Sequence, residues 1–376
     1  MLSILAIFLA QAPTRLPETV VIETRQATPL ADASPSVSRL DVTAATESGL
    51  TTLTGLLGGA PGVYATEQSG EGSVGSLFLR GTNSSQTAVL LDGRRLPQGF
   101  SSSYEIGRYR IFGLSSVEIL RGPSSSLYGA NALGGVIDLR QQSPLTARAG
   151  STLVAEGGSF GRGTLNYALL ANNAEAGKAA TQGTALSLTA THDDGFRPNA
   201  DREAVSAFLK HEQRLSPNLV FDVVGSADHG KAGLPGQQLG GPPNLTDWQR
   251  DGGWLLSPGL RFQDETTEAS IFWSRAGSSI QSVTVPFANR YLLDRDELTA
   301  TVDRRVRPDL TLGLGLSYER TSFDQFDVAA NSLPWVETQE SLGVWTRAEW
   351  QATAKDRFRA AIRTDRFTDA AHHFQR

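Results

Sequence analysis

The sequence predicts an N-terminal α+β domain followed by an antiparallel transmembrane β-barrel, with the change of texture between Gln142 and Arg148. Three observations predict it. Up to Arg148, short apolar runs and one helical pattern sit between glycines, prolines and polar turn residues, the punctuation of a compact mixed domain. Beyond Gln142, strand-length stretches alternate apolar and polar residues between polar or glycine-rich connectors. The composition is 39% hydrophobic and 19% charged, with 38 glycines in 376 residues. That excludes a bundle of membrane helices, each of which needs about 20 consecutive apolar residues, but not a barrel, whose alternating strands average to a soluble-looking composition.

In chain order, Met1–Ala10 is an apolar run too short to span a bilayer, and Ala10-Gln11-Ala12 has the small-x-small form of a signal-peptidase site. Residues 1–12 are therefore expected to be an export signal, residues 13–148 the α+β domain, and residues 149–376 barrel strands. Thr46–Leu57 sets Leu50, Leu53, Leu56 and Leu57 at helical spacing, with Thr46 or Ser48 as N-cap and Gly58, Gly59 and Pro61 as terminators. Val89–Leu91, Ser116–Leu120 and Gly135–Leu139 are bounded apolar runs, hence expected buried strands.

In the second part, Leu186, Leu188 and Ala190 alternate with Ser187, Thr189 and Thr191, and the pattern recurs at 219–224, 298–303 and 357–363. It is most regular where Leu310, Leu312, Leu314, Leu316 and Tyr318 alternate with Thr311, Gly313, Gly315, Ser317 and Glu319. Successive side chains of a strand point to opposite faces, so this last segment has one wholly apolar face and one polar face. A soluble periplasmic β-protein with one packed face would give the same alternation. Charges on the polar faces, aromatics near strand ends (Trp254, Trp273, Tyr318, Trp345, Trp350) and connectors of unequal length favour a barrel with a wet lumen.

The net charge of −5, with no basic stripe, gives no reason to expect nucleic acid, and the lack of cysteine excludes disulfides, thiolate metal sites and thiol nucleophiles. Gly70-Glu71-Gly72-Ser73-Val74-Gly75 has dinucleotide-site spacing, but a strand follows where a helix is required. Gly157-Gly158-Ser159-Phe160-Gly161 has nucleophile-elbow spacing but reads as a hairpin turn before the alternating run 164–171. The five histidines form no metal spacing, and no catalytic constellation is supported, so neither enzyme chemistry nor a cofactor is expected. Arg80-Gly81 and Arg121-Gly122 each put a cation at the end of a buried-looking strand, where it needs carboxylate partners; an internal pair such as Arg121 with Glu118 would suffice.

Pro61-Gly62-Val63, Leu79-Arg80-Gly81-Thr82-Asn83, Leu90-Leu91-Asp92-Gly93, Leu120-Arg121-Gly122-Pro123, Leu127-Tyr128-Gly129 and Gly134-Gly135-Val136-Ile137 follow one another in an order that resembles the plug of TonB-dependent outer-membrane receptors, nearest to their vitamin B12 (cobalamin) branch. Siderophore and haem receptors share most of these blocks. The resemblance implies a Gram-negative outer-membrane transporter, with the TonB energising complex and outer-membrane lipid as partners and cobalamin, or else a ferric siderophore or haem, as substrate. Glu18, Thr19, Val20, Val21 and Ile22 resemble the TonB box, which pairs edge-on with a strand of the partner. Arg80 and Arg121 match plug arginines that dock on barrel glutamates. The outward plug loops that touch substrate correspond to Gln68, Ser69, Gly70, Glu71, Gly72 and Ser73, and to Phe100, Ser101, Ser102, Ser103 and Tyr104. The cobalamin branch binds calcium through aspartates of outer loops; the run 232–246 has none, so no metal is expected. Barrels of this family have about 22 strands, whereas the run after Gln142 holds ten or eleven, so a truncated barrel is expected.

Overall fold

The computed structural model describes residues 19–23, 25, 28–34, 36–67, 75–99, 104, 106–236, 244–330, 334–353 and 356–370. The expected export signal lies outside them.

The first part contains β1 (Thr19–Val20), β2 (Thr28–Pro29), β3 (Val37–Asp41), α1 (Val42–Glu47), α2 (Leu53–Gly58), β4 (Val63–Glu67), β5 (Gly75–Leu79), β6 (Thr87–Leu91), β7 (Arg94–Arg95), β8 (Leu114–Arg121), α3 (Ser125–Tyr128) and β9 (Gly135–Gln141). Its central sheet runs β3-β8-β9-β6-β7, antiparallel except for the β6–β9 pair. Two-residue periodicity splits the sheet's apolar side chains between two cores. Val89, Leu91, Val117, Ile119, Ile137 and Leu139 face Leu53, Leu57, Leu77 and Leu79, while Ala88, Leu90, Leu120 and Val136 face Val20, Ile22 and Tyr128.

The single helix expected over Thr46–Leu57 is two helices. Gly49, at φ 88°, ends α1: its N–H bonds Thr46 C=O and that of Leu50 bonds Ala45 C=O, a left-handed C-terminal cap that frees Leu50 to solvent. The caps differ from expectation too. Asp41 accepts from Thr43 and Ala44 N–H at the start of α1, and the Thr52 hydroxyl accepts from Gly55 N–H at the start of α2. Of the expected caps, Ser48 closes α1 at its C-terminus and Thr46 lies inside it.

The second part is one eleven-stranded antiparallel sheet, each strand paired with the next: β10 (Gly150–Gly157), β11 (Gly163–Asn172), β12 (Gln182–Asp193), β13 (Arg202–Ser216), β14 (Leu219–Gly233), β15 (Trp248–Gln263), β16 (Thr267–Thr284), β17 (Phe287–Arg307), β18 (Leu310–Asp327), β19 (Trp335–Gln351) and β20 (Arg357–Ala370). It curls around the first part as a wall, and the inward Phe208, Val224, Leu255 and Ala276 complete the core there. Outward, Leu312, Leu314 (55% exposed), Leu316, Leu298, Val302, Leu342, Val344 and Ile362 form an apolar band that a soluble sheet protein would cover. Leu310 to Tyr318 is about the 9–11 residues that a tilted strand needs to cross a bilayer.

Aromatics border that band: Trp350 lies near the end of β19 as expected, whereas Tyr318 and Trp273 lie inside strands that continue beyond it. Tyr318 precedes the exposed Arg320, Trp273 precedes Arg275, and Trp350 stacks on Phe358 at 5.8 Å at the other border. Trp345 departs from the expected girdle. It is buried on the lumen side, and only glycine at the paired position 315 leaves room for its indole. Most short turns (217–218, 264–266, 308–309, 352–356) lie at one end, and the connectors 194–201, 234–247 and 328–334 at the other.

Candidate functional site

The N-terminal segment is tied down residue by residue at the short-turn end. Thr19–Val20 pairs with Thr28–Pro29, and Val20 and Ile22 are fully buried against the central sheet. Val21 and Ile22 N–H both donate to Glu118 Oε2 at 2.9 Å, and the Tyr128 hydroxyl donates to Ile22 C=O at 2.8 Å. Glu23 pairs with Arg359 of β20 at 2.5 Å. The Arg25 guanidinium, 4.5 Å above the Tyr128 ring and 5.3 Å from that of Trp345, donates to Leu127 C=O. Burial lowers its pKa, against the opposing pull of Tyr128 and Glu297. Of the expected TonB-box residues, Glu18 lies outside the described residues.

Charged pairs join the domain to the described strands through residues that the sequence did not single out. Arg94 pairs with Asp222 of β14, Arg95 with Glu319 of β18 at 3.3 Å, and Arg108 with Asp228 of β14 at 3.2 Å. In the reverse direction Lys210 of β13 reaches Asp92 at 3.4 Å, and buried Arg295 of β17 donates to the carbonyls of Arg95 and Leu96. The turn places the first two: Asp92 and Gly93, both at positive φ, form a two-residue hairpin loop whose return strand aims Arg94 and Arg95 at the lumen face. The Asp-Gly-Arg-Arg run was the available sequence signal.

Among the described residues, neither Arg80 nor Arg121 pairs with a barrel glutamate or with Glu118. Arg121 is bonded inside the domain, donating to Pro61 C=O at 2.6 Å and Ser38 Oγ at 2.8 Å, because β8 ends there against the β3 edge. Burial and the neighbouring Arg80 guanidinium lower its pKa. Arg80, at φ 49° in the turn after β5, is exposed. Glu118 instead holds the N-terminal segment and faces Arg140 at 3.8 Å.

Arg140 anchors a buried acid cluster. It bonds Asp138 at 3.0 Å and lies 3.9 Å from Asp92. Burial pushes the Asp138 carboxyl up to about 6 although Arg140 opposes it. Burial would raise Asp92 as well, but Lys210, Arg140 and Arg94 outweigh it and hold that carboxyl below the ordinary range. Beside this cluster a cavity of about 230 Å³ opens between domain and wall, lined by cations (Arg25, Arg94, Arg140, Lys210, Arg261) and as many acids (Asp92, Asp138, Asp222, Glu268, Asp303). Such a charged seam can be rehydrated when it separates, unlike an apolar one.

Of the expected substrate loops, Gln68, Ser69, Gly70, Glu71, Gly72 and Ser73, and Phe100 to Ser103, lie outside the described residues. Tyr104 is described and turns inward: it is 1% exposed in the core, where apolar contact outweighs solvation of one hydroxyl, so its ring presents no outward surface. The 106–108 turn beside it lies toward the long-connector end, since Arg108 contacts Asp228 and packs on Gly253.

An α+β domain lodged in a curled sheet with a wet, ion-paired inner face and an apolar outer band defines the class of plugged β-barrel membrane proteins. Within it, residues 29–136 match the family described as TonB-dependent Receptor Plug Domain, so this segment is similar to that plug. The vitamin B12 transporter BtuB of Vibrio vulnificus (strain YJ016) is 37% identical over 91 residues, which are 24% of this chain and 15% of that protein. The solved FpvAI–pyocin S2 complex is similar at a TM-score of 0.76 and 13% identity over 96% of this chain and 57% of that one. The alcaligin receptor FauA from Bordetella pertussis is similar at 0.71 and 16% over 95% and 61%. The chain thus spans little more than half the length of these structures.

Proposed function

We infer that the chain is the plug and first barrel strands of an outer-membrane transporter that takes up a large, scarce nutrient with energy delivered by TonB. The observation that carries this reading is the docked segment 19–25 at the short-turn end, where barrels of this kind face the periplasm, under a plug tied to the wall by ion pairs. Substrate reaches the opposite, long-connector end, and residues 68–73 and 100–103 are proposed to contact it. A pull on residues 18–22 then separates the charged seam and opens a path along the wall. Arg94, Arg95 and Arg108 hold the plug in place.

Cobalamin is the preferred substrate, supported by the similarity to a vitamin B12 transporter over 91 residues. A ferric siderophore is the second reading, since the solved structures of similar fold include the ferripyoverdine and alcaligin receptors. Competition binding with cyanocobalamin and ferric chelates on the outer-membrane fraction separates them. Cobalamin is expected to compete; tight binding of an iron chelate alone overturns the preference, and recovery of the chain in the soluble periplasm overturns the transporter reading.

A further inference from the structure

We propose that Glu118 is the positioning residue that keeps the N-terminal segment docked and withholds its backbone donors from a strand-forming partner. The partner half of this statement rests on the reading of residues 18–22 given above; the docking half does not.

Two consecutive amides, of Val21 and Ile22, reach one carboxylate oxygen at 2.9 Å each. In an extended strand successive N–H groups point to opposite edges, so both can share an acceptor only if the chain leaves strand geometry there. The backbone does so, turning at Ile22 and Glu23. One edge of Thr19–Val20 is already occupied by β2. Pairing with another chain needs a row of free donors and acceptors along an extended edge, so the docked and paired forms exclude each other.

Glu118 suits this task. It is 2% exposed on β8, an interior strand of the central sheet, so neither water nor side-chain motion competes for Oε2, and bonds from amides to a carboxylate are stronger than neutral ones. Its Oε1 faces Arg140 at 3.8 Å, a cation shared with Asp138 and Asp92, which leaves Oε2 to the segment. The contact also lies wholly within the plug, at some distance in sequence (96 and 97 residues) from the segment it holds.

The cysteine-free chain allows a single spin label at the exposed Thr19. In the full chain, label mobility reports docking, and affinity for the purified C-terminal domain of TonB reports pairing. Glu118→Ala is expected to mobilise the label and to raise that affinity about tenfold or more, the equivalent of two lost charge-assisted bonds discounted for solvation. Val21→Pro deletes one donor without touching the plug interior and is also expected to mobilise the label, so the test survives if Glu118→Ala fails to fold. A label that stays immobile in Val21→Pro and in folded Glu118→Ala overturns the proposal. A label that is freed while the TonB domain binds no variant upholds the docking role and overturns the partner reading instead.

Discussion

At the scale of single residues, the buried acids decide how the plug responds to pH. The Asp138 carboxyl is raised from its ordinary 3.8 to about 6 by burial, with Arg140 opposing. A carboxyl whose pKa is higher in the folded state binds its proton more tightly there, so its ionisation weakens the fold above about pH 6 and the penalty fades as pH falls toward 4. Asp138→Asn, which keeps an oxygen for Gly93 N–H, is therefore expected to stabilise the plug at pH 7.5 by up to about 3 kcal/mol. The gain should vanish by about pH 4, read as the denaturant midpoint across a pH series. A variant less stable than wild type at both ends of the series would show that the bond to Arg140 matters more than desolvation. The residues joining plug to wall were the least legible in the sequence. Arg94 finds Asp222 across 128 positions and Arg95 finds Glu319 across 224, and no local pattern encodes such a pairing.

At the scale of elements, the sequence was read well where periodicity is long and poorly where one residue breaks it. The buried strands at Val89–Leu91, Ser116–Leu120 and Gly135–Leu139 appear as β6, β8 and β9, and the Gly157–Gly161 run is the turn between β10 and β11. The Thr46–Leu57 pattern concealed a break, because leucine spacing does not register the left-handed conformation of Gly49. The observed cap assigns a cost: Thr52→Ala should lower plug stability by about 1 kcal/mol, since Gly55 N–H loses its acceptor, while Ser48→Ala should cost less. Equal losses in equilibrium denaturation of the two variants would return the helix start to the expected position.

At the scale of the whole molecule, what matters is which face of the wall meets which medium. Leu312, Leu314 and Leu316 point away from the plug, while the intervening Gly313 and Gly315 face the lumen, where they pair with Arg347 and Trp345. Leu314→Arg is expected to destabilise the lipid-embedded protein by about 2–4 kcal/mol, the cost of a guanidinium near the bilayer midplane. Unfolding in phospholipid vesicles checks this, and an unchanged midpoint would remove the band from lipid. The plug is held by a different physics, an ion-paired seam that continues into apolar contacts with Phe208, Val224 and Leu255. It is anchored firmly without being welded to the wall.

The order of the parts, the location of most strands and the outward face of the wall were already legible in the amino-acid order, because side-chain periodicity and turn chemistry are local and act wherever the chain goes. Only the tertiary structure decided that Trp345 turns inward, that Arg121 stays inside the plug while Arg94, Arg95 and Arg108 reach the wall, and that Glu118 holds the N-terminal segment. Each of these depends on which distant backbone a side chain meets once two curved surfaces are nested, and charge or size alone carries no record of that meeting.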